Sequence, residues 1–222
     1  MDNFHKLIEG FHNFKQTYFL KERQYFESLE KAQNPKTLVV ACCDSRVDPA
    51  ILLHCKPGDL FVIRNVAALV PAVTQASNPC SVMSAIEYGV KHLNVEHIVV
   101  MGHSHCGGIH GLMAPETIAG ETYIQDWVGI ASPALERLQA ITGDEDEKTR
   151  SRHCEEGAVL ISLDNLLSYP WIAERVKNGQ LKLHALYYDL SEGNLYRFSP
   201  DSEDFELLFH TCLLYTSDAA DD

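Results

Sequence analysis

Basic residues are scarce in this chain of 222 residues. Its 18 Lys and Arg face 31 Asp and Glu, which leaves a formal net charge of -13. Such a chain repels phosphate backbones, so it argues against nucleic-acid binding through a basic face and against a polybasic membrane anchor. Long hydrophobic runs are missing too: none approaches the roughly 18 residues that mark a membrane-spanning helix. The opening Met1-Asp2-Asn3-Phe4-His5-Lys6 has no basic segment followed by an apolar stretch, so no secretory signal peptide is expected. Internal repeats and low-complexity blocks are absent.

What is present fits an ordinary folded protein. Hydrophobic residues make up 45% and charged residues 22%, and the length allows one large α/β domain or two small ones with a sizeable core. Seven cysteines without a signal peptide point to a reducing compartment, the cytoplasm. Thiols there serve as core residues, metal ligands or catalysts rather than as disulfides. The last residues, Cys212 to Asp222, resemble the translation of a transposon-type sequencing-library adapter and are left out of the fold. The alternative is a genuine acidic tail. Its acids, Asp218, Asp221 and Asp222, are too few to alter the charge argument.

Phe4, Leu7, Ile8, Phe11, Phe14 and Tyr18 form one apolar helical stripe, which predicts an N-terminal helical arm that Asn34-Pro35 ends. Four apolar runs follow: Thr37–Cys42, Phe61–Ile63, His97–Met101 and Leu183–Tyr188. They lack polar alternation, as strands buried on both faces do. Between them, Asn78-Pro79 reads as an N-cap with Pro at the first helical position, followed by Val82, Ile86, Val90 and Leu93. Another helix runs through Val159, Leu160, Leu163, Leu166 and Leu167. The alternation predicts an α/β fold with a mostly parallel central sheet flanked by helices.

Ligand sites in such sheets gather at the carboxyl ends of strands. Two of these ends carry unusual chemistry: Cys42-Cys43-Asp44-Ser45-Arg46 and Gly102-His103-Ser104-His105-Cys106-Gly107-Gly108. If the chain stays extended beyond Cys42, then Cys42, Asp44 and Arg46 point to one side. An Asp–Arg pair and a metal on the cysteine would compensate the charges. Cys42, His103 and Cys106 make a set of two thiolates and one imidazole that suits Zn2+ and leaves a fourth position for water. Two alternatives stand beside this. The cysteines and His103 could be buried core residues. Or Cys106 could be a nucleophile, with His103 or His105 as base and glycine amides as an oxyanion hole.

These two segments resemble the signature motifs of the β-class carbonic anhydrases. The similarity runs from about Phe4 to Leu208 and includes Pro57–Asn65, Ser84–Tyr88, Asn165–Pro170 and Leu183–Asp189. The resemblance implies reversible hydration of CO2 to bicarbonate and a proton, with one zinc per chain on Cys42, His103 and Cys106. Asp44 would orient the zinc-activated water and Arg46 would hold Asp44. Gln33, Phe61, Val66, Tyr88 and the Gly107 amide would contact substrate, some of them across a dimer interface. The arm would wrap a partner subunit, giving a homo-oligomer: a dimer, or a tetramer or octamer of dimers. The implied organisation is an arm over 1–34, a zinc-binding catalytic domain over 35–211 and an extraneous tail over 212–222. His105, His110 and His54 are candidate proton relays.

Three positions depart from the family's pattern. Val39 stands where members with an allosteric bicarbonate site have Trp, so the open arrangement is expected, with Asp44 paired to Arg46 rather than to zinc. Ala68 stands where Asn or Gly is usual. Cys43 replaces a common Ser and is expected as a buried thiol. A CS2 or COS hydrolase and a non-catalytic zinc scaffold are the competing functions.

Overall fold

A computed structural model of the chain describes residues 2–76, 79–140 and 146–208. The suspected tail, 212–222, lies outside the described residues. In chain order the elements are α1 (Asn3–Phe14), α2 (Arg23–Lys31), β1 (Thr37–Cys42), α3 (Pro49–Leu52), β2 (Leu60–Asn65), α4 (Ser81–Lys91) and β3 (His97–His103). Then come α5 (Gly107–Met113), α6 (Thr122–Val128), α7 (Ser132–Ala140), α8 (Glu147–Leu167), α9 (Pro170–Lys177), β4 (Lys182–Asp189), β5 (Asn194–Ser199) and β6 (Asp204–Leu207). A π-helical turn, Lys15–Phe19, joins α1 towards α2.

Local chemistry sets several boundaries. The chain leaves α2 through extended Ala32, and Pro35 forbids an immediate return to helix. Asp48 caps α3 by accepting hydrogen bonds from the amides of Ala50 and Ile51, with Pro49 at the first position. Asp146 caps α8 through the amide of Thr149.

The six strands form one sheet in the order β2-β1-β3-β4-β5-β6. The first four are parallel, and β4–β5 and β5–β6 are antiparallel. On one face, Leu38, Val40, Ile98 and Val100 pack with Ile86 and Val90 of α4, Val159 of α8 and Ile172 of α9. On the other, Val39, Ala41, Val99 and Met101 cluster with Leu186. Strands buried on both faces explain the unalternating runs. Fully burying each of these Val, Leu, Ile and Met side chains stabilises by roughly 1.5–3 kcal/mol.

The structure corrects some details. β2 is an edge strand, and Val62 is exposed. α4 begins at Ser81 with Cys80 as N-cap, not at Asn78-Pro79, and ends at Lys91; Asn78 itself lies outside the described residues. α8 starts far upstream of Val159. β5 and β6 were not read from the sequence. They are short and, apart from buried Phe205, only partly buried, so their apolar signal is diluted by Asn194, Arg197, Asp204 and Glu206.

Candidate metal centre

The chain enters the sheet at β1, adds β2 on one side, and crosses back to place β3 on the other. A crevice opens at the carboxyl ends of strands where the order reverses in this way. Ala41 pairs with Met101, so Cys42 and His103 emerge side by side at that crevice. Cys106 follows three residues later as the N-cap of α5.

Cys42, His103 and Cys106 are all buried, and their ligand atoms lie within 4.8 Å of one another. The two sulfurs are 4.0 Å apart. Two thiolates at about 2.3 Å on a tetrahedral zinc would stand about 3.8 Å apart. His103 Nδ1 is 2.9 Å from the carbonyl oxygen of Ser104. That bond puts the proton on Nδ1 and leaves Nε2 as a lone-pair donor. Among the described residues, Nε2 is a buried polar atom without any hydrogen-bond partner. An orphaned imidazole nitrogen facing two sulfurs is costly unless something ligates it. The donor set fits zinc.

The electrostatics agree. The neighbouring Cys106 thiol, with His103 and the amides of Asp44 and Ala67, holds the Cys42 thiol well below its ordinary range against the pull of burial. Cys106 is pushed up by its neighbour Cys42 and by burial, although the amides of Gly108 and Ile109 point at its sulfur. Two sulfurs this close resist a second negative charge until a cation joins them.

Asp44 and Arg46 sit beside the triad, but not by extension of β1. The chain turns after Cys42, with the Val47 amide bonding the Asp44 carbonyl at 3.2 Å. Asp44 Oδ1 accepts from the amide and Nε of Arg46, both at 2.9 Å, and Oδ2 accepts from Nη2 at 2.7 Å. Arg46 therefore occupies both carboxylate oxygens and holds the acid well below the usual carboxylate range. Nη2 also reaches the His105 carbonyl at 3.1 Å, tying the two motif loops together. Arg64, unnoticed in the sequence, braces the same turn. It donates to the carbonyls of Cys42 (3.0 Å) and Asp44 (2.7 Å) and pairs with Asp48.

The remaining predicted site residues divide into two groups. Val66 and Gly107 lie at the triad. A Cβ on Gly108 would come within 2.6 Å of Val66 Cγ1, so the glycine lets α5 close onto Val66. Gly107 has open space around it. Gln33, Phe61 and Tyr88 do not reach the triad within one chain. Phe61 pairs with Leu38, whereas Asn65 pairs with Cys42, so Phe61 sits about 13 Å back along its strand. Tyr88 contacts Phe61, with ring centroids 6.1 Å apart, and is 45% exposed. Gln33 is exposed ahead of the amino end of β1.

Cys43 is exposed, not buried, because the chain leaves the sheet there. Ala68 has φ +55°, a left-handed conformation that Gly or Asn adopts with less strain. A cavity of about 770 Å³ adjoins the β3–α5 loop. His105, Cys106, Gly107 and His110 line it, while Cys42, Asp44, Arg46 and His54 do not.

The carbonic anhydrase family model matches residues 37–195. Beta carbonic anhydrase 5, chloroplastic, of Arabidopsis thaliana is 38% identical over 201 residues, covering 90% of this chain and 66% of that protein. The chain thus spans just under two thirds of that relative. The structure of the β-carbonic anhydrase CcaA is 31% identical with a TM-score of 0.88, covering 94% of this chain and 93% of that one. A tetrameric β-carbonic anhydrase from the filamentous ascomycete Sordaria macrospora is 30% identical with a TM-score of 0.77, covering 90% and 98%. Sequence, sheet and Cys-His-Cys cluster agree on one assignment: the chain belongs to the β-class of the carbonic anhydrase family.

Proposed function

We propose that this chain is a zinc-dependent carbonic anhydrase that reversibly hydrates CO2 to bicarbonate and a proton. The observation that carries the proposal is the buried Cys42-His103-Cys106 cluster with the Asp44–Arg46 pair beside it. Zinc, when bound there, supplies the Lewis acidity that brings a water's pKa towards neutrality; at the three-histidine site of other carbonic anhydrases the value is about 7. Asp44, kept ionised by Arg46, has no proton to donate. It accepts a hydrogen bond from the reacting water and so turns the oxygen's lone pair towards CO2. The Gly107 amide bonds the developing bicarbonate oxygens, and Val66 forms an apolar wall that favours CO2. His105 and His110, on the cavity beside Cys106, pass the proton to buffer.

The working form is a homo-oligomer. Gln33, Phe61 and Tyr88 serve the site of a second copy, since Phe61 lies towards the amino end of β2, Tyr88 of α4 contacts it, and Gln33 precedes β1. Residues 1–34 form the arm that wraps that copy, and 35–211 the catalytic domain. Phe4, Leu7, Ile8 and Phe11 are each more than half exposed, a stripe that a partner would cover. The described cysteines are all free, which suits a reducing compartment such as the cytoplasm. No described helix is long and apolar enough to cross a membrane.

The test is stopped-flow CO2 hydration from about pH 6.5 to 9, on protein with residues 212–222 removed and its zinc quantified. One zinc per chain and a rate rising with pH are expected. Zinc without hydration would overturn the proposal, and faster turnover of CS2 than of CO2 would redirect it.

A further inference from the structure

Glu155 is a buried acid, only 5% exposed, that none of the chemistry above uses. Its neighbour Glu156 has a cation, Arg152, at 2.8 Å. Glu155 makes no ion pair among the described residues. Its two oxygens are spent otherwise. Oε1 accepts a hydrogen bond from the backbone N–H of Cys106 at 3.0 Å, and Oε2 accepts one from the Tyr187 hydroxyl at 2.7 Å. Burying a carboxylate without a cation is expensive, and these two donors are what offset it.

The bond falls on the backbone of Cys106, a proposed zinc ligand. Cys106 follows His105, whose φ of +57° is left-handed, and it caps a helix of only seven residues. The amides of Gly108 and Ile109 point towards its sulfur. The peptide before it turns its N–H the other way, to Glu155. That bond and the Arg46 contact to the His105 carbonyl hold the two ends of the same peptide, the one from which the Cys106 side chain departs. Tyr187 is in turn secured: it pairs with Gly102 in the sheet, and the Arg152 guanidinium lies 5.4 Å from its ring centre.

We propose that Glu155, steadied by Tyr187, is a positioning residue for the metal: it orients the Cys106 backbone so that both sulfurs and His103 Nε2 converge on one ion. The inference rests on zinc binding by the triad, not on the identity of the substrate.

The test uses the full chain stripped of metal, as parent, E155A, E155Q and Y187F. Zinc affinity is measured by competition with a chromophoric chelator, and Co2+ is added to record its visible thiolate bands. Urea unfolding of the metal-free proteins runs alongside. E155A is expected to bind zinc about 10- to 100-fold more weakly and to shift the cobalt bands. E155Q restores both, because its amide oxygen accepts from Cys106 and its NH2 donates to Tyr187. Y187F falls between. Variants that match the parent in zinc affinity and cobalt spectrum, whatever their urea midpoints, overturn the inference. So does an E155Q as weak as E155A. If E155A does not fold, a Y187F identical to the parent is decisive against it. A parent that takes up no zinc overturns the proposed function as well, which separates the two failures.

Discussion

Gly102 and Val159 meet with no space for a side chain between β3 and α8: a Cβ on Gly102 would lie 2.5 Å from Val159 Cγ2. Val159 is buried, and a β-branched side chain in a helix has little rotamer freedom with which to yield. Gly102→Ala is expected to destabilise the protein by about 1–3 kcal/mol. It should also weaken zinc binding, because α8 carries Glu155. Urea unfolding of the metal-free protein and chelator competition measure the two effects; a variant with parental stability would show that the helix shifts freely.

Asp44→Asn removes one of the two oxygens that Arg46 grips. It also puts an NH2 donor where an acceptor is needed. Zinc content should stay at the parental level, since Asp44 is no part of the metal cluster. CO2 turnover should fall by at least about 10- to 100-fold. Metal analysis and stopped-flow on the same sample decide; full activity in the variant would remove Asp44 from the mechanism.

His97 Nδ1 and His184 Nε2 lie 3.0 Å apart, well away from the metal centre at the amino end of the sheet. Burial, then His97, then Arg197 and Lys182, push the His184 pKa below its ordinary value. The contribution of His184 to stability is therefore complete above the unfolded value of about 6.5. It is lost as pH falls below that value and through the lower folded one, because the unfolded chain takes the proton first. Folding free energy should drop more steeply between pH 7.5 and 5.5 in the parent than in His184→Gln. Parallel slopes in urea titrations at the two pH values would refute this.

Leu7 and Phe11 are 70% and 64% exposed on the same stripe of α1. Replacing both with Glu should leave the fold intact, since neither packs in the core, and should lower the oligomer mass seen by light scattering. An unchanged mass would place the subunit contact elsewhere.

Much of the metal centre was legible in the chain. Cysteine and histidine at two apolar strand ends limit the chemistry to a few options, and a parallel sheet brings such ends together. The helical stripe of the arm was equally plain, because its apolar residues recur with the helical period, and the strands were plain as short unbroken apolar runs. The turn at Asp44 was not. The sequence carries no strong signal there, and Asp44 reaches Arg46 by folding back rather than by alternating along a strand. The weakly apolar β5 and β6 went unseen for a similar reason: they are held by pairing to β4, not by their own pattern.

The sequence by itself determined which atoms are available to hold a zinc ion and which segments are buried, because side-chain chemistry and hydrophobic period are local properties. Only the tertiary structure decided who supports those atoms. Glu155 is 49 residues from Cys106, and Tyr187 is 32 from Glu155. Gln33, Phe61 and Tyr88 lie at the opposite end of the strands from the cluster they were expected to serve. Contacts across such separations depend on how helices cross the sheet and on what a second copy brings, and neither leaves a period in the chain.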